Sequence, residues 1–297
     1  MNPLRQVIKW GEFVKISHTV FALPFAIASM VVAAREQRGW PGWEKFLLIV
    51  GAVFCARTCA MAFNRIVDRR FDAKNPRTSM RHLATGEISV ASAWALWALS
   101  AAGFIVITYH LNRVCFYLAP VALAVVCFYS LTKRFTDFTH IYLGIALSLA
   151  PIGAWLAVRE TIHITPLILA LAVVCWLAGF DIIYALQDYD FDRRNGLHSL
   201  VVRWGPKNAL QFAFLAHLVM WGLLVLFGLI SRFRVPYFAG VFLILVALLF
   251  EHWLARRRSL NWVNMAFFRL NALISMIFLT TTIASVVFIP FSWKFIR

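Results

Sequence analysis

The stretch HITPLILALAVVCWLAGFDIIYALQDYDFD, residues 163–192, decides the fold. From His163 to Phe180 it contains no Asp, Glu, Lys or Arg, and then four aspartates, Asp181, Asp188, Asp190 and Asp192, follow within twelve residues. A helix needs about 20 mostly apolar residues to cross the hydrocarbon layer of a bilayer. That template fits this segment, over 163–186, and fits eight more near 16–34, 46–67, 89–109, 114–131, 138–158, 208–230, 236–254 and 267–289. Over the 297 residues, 62% are apolar and 14% charged, with a mean hydropathy of +0.76. Soluble domains run to about 45–50% apolar and 25% charged, so a soluble enzyme is excluded. The expectation is an all-α polytopic membrane protein of about nine transmembrane helices, a single membrane domain over residues 1–297.

The net charge of +16 belongs to cations spread between apolar spans, a pattern of headgroup anchors at a lipid bilayer rather than of nucleic-acid binding. With the N-terminus in the cytoplasm, eighteen of the 29 Lys and Arg fall on the cytoplasmic side and nine opposite, with Arg57 and Arg269 inside spans. The excess predicts N-in, C-out. Five cysteines without paired spacing predict reduced packing residues. The first apolar segment is long enough to span and carries no cleavage motif, so it is expected to stay in the membrane. Two connections on the cytoplasmic side, about 68–88 and 187–207, are long, and function concentrates in such loops.

Six of the seven aspartates lie at or just beyond the cytoplasmic ends of spans 2 and 6. In Asn64-Arg65-Ile66-Val67-Asp68-Arg69-Arg70-Phe71-Asp72 the oxygen-bearing side chains recur every four residues, which stacks Asn64, Asp68 and Asp72 on one face if the helix persists. Arg57 shares that face from within the span. In the second cluster the same arithmetic puts Asp181, Asp188 and Asp192 on one face with Tyr184 beside them, while Asp190 points elsewhere. Stacked carboxylates repel one another and are disfavoured without a cation or a catalytic role. Hard oxygen ligands too few for a full cage suit Mg²⁺, which commonly binds through one or two carboxylates plus substrate phosphates. Both columns offer such oxygens, and the surrounding cations complete a diphosphate site.

These motifs resemble the UbiA family of intramembrane aromatic prenyltransferases, whose signatures are Asn-x-x-x-Asp-x-x-x-Asp and a later Asp-x-x-x-Asp, present here as Asn64/Asp68/Asp72 and Asp188/Asp192. The flanks are similar as well: Asn75-Pro76-Arg77-Thr78 with Arg81 and Gly86, Tyr129/Lys133, and Gly196-Leu197-His198-Ser199. Arg65 departs from the pattern, because many members carry Asp directly after the motif asparagine. The Asn-Arg form and residues 15–24 look closer to the bacterial 4-hydroxybenzoate polyprenyltransferase-like group. The resemblance implies a Mg²⁺-dependent transfer of a polyprenyl group from polyprenyl diphosphate to a small aromatic acid in quinone biosynthesis, at the cytoplasmic face of a bacterial inner membrane. A naphthoate acceptor on a menaquinone route is the alternative.

On that reading Asn64, Asp68, Asp72, Asp188 and Asp192 are the metal set, Arg77 and Lys133 contact the diphosphate and Arg57 is a weaker choice. Tyr129 and Tyr184 are candidates to shelter the allyl cation, and Asp181 is a catalytic candidate that orients the acceptor or accepts a proton. His18 is read as a packed polar residue. A transporter is the competing class, and it predicts charges at midplane depth and broken helices, whereas here the acids gather at helix ends. Both acidic clusters are expected to face one cavity.

Overall fold

The computed structural model describes residues 3–257 and 260–288. Arg258, Lys294 and Arg297 of the charge count lie outside the described residues. The helices are α1 (Pro3–Phe13), α2 (Thr19–Ala33), α3 (Trp43–Lys74), α4 (Val90–Leu111), α5 (Arg113–Thr132), α6 (Thr139–Arg159), α7 (Ile164–Ala185), α8 (Tyr189–Arg194), α9 (Leu200–Ile230), α10 (Val235–Arg257) and α11 (Leu260–Ile283). Among the described residues, nine segments are long and apolar enough to cross a membrane, and each coincides with a span expected from hydropathy. Helices satisfy every backbone polar group internally, which lipid requires.

The differences lie where hydropathy stops but helix does not. The second span was expected to end near residue 67, yet α3 runs on to Lys74, because charged side chains leave the apolar layer without breaking a helix. The first long connection therefore begins at Asn75. The second, expected as a loop over 187–207, is a 3₁₀ turn at Leu186–Asp188, then α8, then the start of α9, which kinks at Gly205 ahead of Pro206. Helix α1 lies outside every expected element. It packs Trp10 and Phe13 against Ile66, Leu83, Ile88 and Ala93, and leaves Leu4, Val7 and Ile8 exposed.

Two glycines set the spacing around α7. A Cβ on Gly144 of α6 would stand 2.7 Å from the Val174 carbonyl oxygen, and one on Gly179 would stand 2.4 Å from the His217 ring of α9. Small residues let membrane helices approach this closely. The same helix is tied to α9, α10 and α11 by buried polar groups. The Trp176 indole donates to Asn271 Oδ1 at 2.8 Å and Asn271 Nδ2 donates to Glu251 Oε1 at 2.6 Å. His217 bonds the Trp176 carbonyl oxygen at 3.1 Å and His252 at 2.9 Å. Asn271→Ala removes the partner of both the Trp176 indole N–H and Glu251 Oε1, and is expected to destabilise the bundle by about 2 kcal/mol. Thermal unfolding in detergent checks this: Tm falls for Asn271→Ala and stays near wild type for Leu243→Ala on the exposed surface.

Candidate functional site

The polar ends of α3, α5 and α7 meet at one end of a cavity of about 500 Å³. Helix α3 contributes Asn64, Asp68 and Asp72, the following turn Arg77 and Arg81, and the end of α5 Tyr129 and Lys133. Helix α7 contributes Asp181 and Tyr184, while Asp188 and Asp192 arrive on the 3₁₀ turn and α8. Every residue singled out as a site candidate lines this one cavity, Arg57 included. The four-residue column on α3 persists as a helix. The second column is not one continuous helix face, because the 3₁₀ turn tightens the chain between Asp181 and Asp192, but the cavity still gathers Asp181, Asp188 and Asp192. Asp190 is exposed while Asp188 and Asp192 are 4% and 3% exposed. Away from that charged end the lining is mainly apolar and extends along α5 to Cys115, about 21 Å from Tyr129 at the helical rise of about 1.5 Å per residue.

Each metal-candidate carboxylate is held by a cation from elsewhere. Arg77 grips Asp188 bidentately, Nε to Oδ1 at 2.8 Å and Nη2 to Oδ2 at 2.5 Å, with Asn75 Nδ2 donating to the same Oδ1 at 2.9 Å. Arg81 holds Asp72 at 2.7 Å. Asp68 takes Asn64 Nδ2 at 3.0 Å and Arg134 at a longer 3.4 Å, and Lys133 Nζ stands 3.9 Å from Asp192. Burial disfavours the Lys133 ammonium, but Asp192, Asp181, Asp188 and Asp68 outweigh it and raise its pKa above the ordinary lysine value, so it stays charged. Burial likewise opposes the Arg77 cation, and its bond to Asp188 more than restores it.

Among the described residues, no three His, Cys, Asp or Glu side chains converge to form a metal cage. The oxygens nevertheless suit a hard cation that arrives with an anionic ligand. Asp192 Oδ2 is buried without a hydrogen-bond partner, and Asp68 is only loosely held. This donor set fits Mg²⁺ bound jointly with phosphate oxygens.

A second cationic corner forms on the α1–α2 side. Arg57 donates to the Val14 and Lys15 carbonyl oxygens at 3.1 and 2.8 Å, and buried Arg65 donates to the Phe13 carbonyl oxygen at 3.3 Å. Burial, then the Arg65 and Arg81 charges, lower the Lys15 pKa. An anion entering this corner would relieve that strain. His18 packs on the rings of Phe21 and Phe268 and lines the same wall.

Aromatic faces line the cavity beside Arg77. The Tyr184 hydroxyl accepts from Arg77 at 3.0 Å, the guanidinium sits 5.2 Å from its ring centroid, and Phe180 stacks beside it. Sequence reasoning missed Arg134 and His140 and treated Asn75 and Arg81 only as flanks. For His140 the signal was available, since an ionisable residue inside an expected span is a site candidate by default.

The sequence model of the UbiA prenyltransferase family matches residues 22–273. A 4-hydroxybenzoate octaprenyltransferase of Actinobacillus pleuropneumoniae is 34% identical over 222 residues, covering 74% of this chain and 75% of its own length. The Tolumonas auensis protein of the same name is 29% identical, covering 77% and 84%. Among solved structures, the apo UbiA homolog from Aeropyrum pernix K1 superposes with a TM-score of 0.80 at 30% identity, covering 89% of this chain and 96% of that one. A UbiA homolog from Archaeoglobus fulgidus bound to GPP and Mg²⁺ shares the fold, with a TM-score of 0.73 at 21% identity and coverage of 94% and 99%.

Proposed function

The chain belongs to the UbiA prenyltransferase family, and from that premise we propose that it transfers a long polyprenyl group from polyprenyl diphosphate to 4-hydroxybenzoate. The observation that carries this reading is the single cavity, which joins a mouth of paired charges to an apolar stretch of about 21 Å. A diphosphate suits the first and a polyprenyl chain the second. The names of the bacterial relatives favour 4-hydroxybenzoate over a naphthoate.

Arg77 and Lys133 bind the diphosphate, with Arg81 and Arg134 within the same wall. Asn64, Asp68, Asp72, Asp188 and Asp192 would hold Mg²⁺, which when bound supplies positive charge against the departing diphosphate. The allylic C–O bond breaks with its electron pair going to the diphosphate oxygen. Positive charge then develops on the allylic carbon, and the faces of Tyr129 and Tyr184 shelter it. The Lys15, Arg57 and Arg65 corner receives the acceptor carboxylate, a different role for Arg57 from the diphosphate contact expected of it. The ring carbon beside the acceptor hydroxyl attacks, and Asp181 takes the proton that the ring loses.

The whole chain acts as one domain. The charged mouth faces the cytoplasm of a bacterial inner membrane, a reading supported by the Lys and Arg excess in the connections on that side. Purified protein in vesicles, given one long-chain donor and a panel of 4-hydroxybenzoate against dihydroxynaphthoates, tests the acceptor: faster prenylation of a naphthoate overturns it.

Two site predictions accompany this reading. Asp188→Asn removes the anion that Arg77 grips and that would face the metal, whereas exposed Asp190 does neither. Mg²⁺-dependent prenylation is expected to fall on the order of 10²-fold for Asp188→Asn and to stay near wild type for Asp190→Asn, at matched protein levels. Lys133→Ala is expected to slow donor turnover by about 10²-fold and to lower Tm as well, since it leaves buried Asp192 without its cation, so donor kinetics are compared at matched amounts of folded protein. Wild-type donor kinetics in Lys133→Ala would return that lysine to the general positive charge of the membrane face.

A further inference from the structure

Asp181 differs from the other acids of its column. Asp188 and Asp192 each have an Arg or Lys within 4.0 Å, whereas among the described residues the ionisable partner of Asp181 is His140, whose Nδ1 lies 2.7 Å from Oδ2. His140 is the second residue of α6, wholly buried, and its Nε2 has no hydrogen-bond partner. Those two facts fix the tautomer. A hydrogen on Nε2 would be a buried donor left unsatisfied, and it would turn the bare Nδ1 lone pair onto a carboxylate oxygen 2.7 Å away. The hydrogen therefore sits on Nδ1, which donates to the Asp181 carboxylate.

The backbone sets this contact. Gly144, one turn along α6, abuts Val174 of α7 so closely that a Cβ would meet its carbonyl oxygen at 2.7 Å. The carboxylate itself lines the cavity, and its Oδ1 carries no protein hydrogen bond among the described residues. An imidazole N–H bonded to Oδ2 orients the carboxylate and leaves Oδ1 to meet a substrate proton.

We propose that His140 is the positioning residue of the acceptor-side carboxylate: its Nδ1–H holds Asp181 in the orientation from which Oδ1 takes the ring proton. The inference rests on the prenyl-transfer reading above. The allylic C–O pair leaves with the diphosphate, a ring π pair makes the new C–C bond, the C–H pair returns to the ring, and the proton joins an Oδ1 lone pair. Water at the charged mouth takes that proton when product leaves.

The test uses the full chain in lipid vesicles with a long-chain prenyl diphosphate, Mg²⁺, and 4-hydroxybenzoate deuterated beside its hydroxyl. Wild type is expected to show no isotope effect, because proton loss is fast. His140→Phe is expected to lower kcat on the order of 10²-fold, to leave donor Kd unchanged and to bring out a primary isotope effect above unity. His140→Asn places an amide N–H where Nδ1–H stood and restores most of the rate. Wild-type kcat in His140→Phe, lost rate without an isotope effect, or a parallel loss of donor binding overturns the proposal. The imidazole ¹⁵N NMR spectrum, assigned by difference against His140→Asn, needs no turnover and no folded Phe variant. A protonated Nδ1 in the His140 signal supports the dyad, and a bare Nδ1 with the hydrogen on Nε2 alone overturns it. If wild type fails to prenylate 4-hydroxybenzoate, the acceptor assignment falls, and the NMR result alone decides the dyad.

Discussion

Buried carboxylates at the end of an apolar bundle repel one another, and neutralising them is the constraint on which the rest of this molecule depends. Desolvated charges persist only when paired or well hydrogen-bonded. Asp72 and Asp188 meet that condition through Arg81 and Arg77, both delivered by the turn that follows α3. The turn must therefore fold back over its own helix end, and α7 must be held in register beneath it. Asn75 does both: its backbone N–H closes α3 on the Phe71 carbonyl oxygen, while its side chain reaches Asp188.

How much of this was legible in the sequence depends on the length scale of each signal. Hydropathy reads the bilayer, so it located the nine spans, but it is blind to helix that leaves the bilayer. That is why α3 ran past Val67 and why the expected second loop proved largely helical. The four-residue spacing of Asn64, Asp68 and Asp72 survived because it is local to one helix. The spacing from Asp181 to Asp192 crosses a 3₁₀ turn, where 100° arithmetic fails. Both clusters reached the cavity all the same, since each sits at the same end of its span.

Partners from distant elements were not legible. His140 and Asp181 are 41 residues apart and meet because α6 starts where α7 ends and Gly144 lets the two helices touch. Arg134 reaches Asp68 from the turn after α5, and Arg57 turns to the carbonyl oxygens of Val14 and Lys15, a segment for which hydropathy gave no structure. No periodicity encodes such meetings. They follow from the order in which antiparallel spans neighbour one another.

The unequal hold on the acids bears on how a diphosphate enters. Asp188 is gripped through both oxygens, whereas Asp68 and Asp192 face their cations at 3.4 and 3.9 Å. An anion reaching the mouth finds Lys133 and Arg134 the least engaged cations, because they face their carboxylates at 3.9 and 3.4 Å, whereas the Arg77 guanidinium is already bonded to both oxygens of Asp188. Drawing Arg77 away would leave Asp188 a buried carboxylate without its cation, a state that is strongly disfavoured unless another cation takes that place. The strength with which each acid is held therefore sets which cations at the mouth are available to an anion and which are committed to the fold.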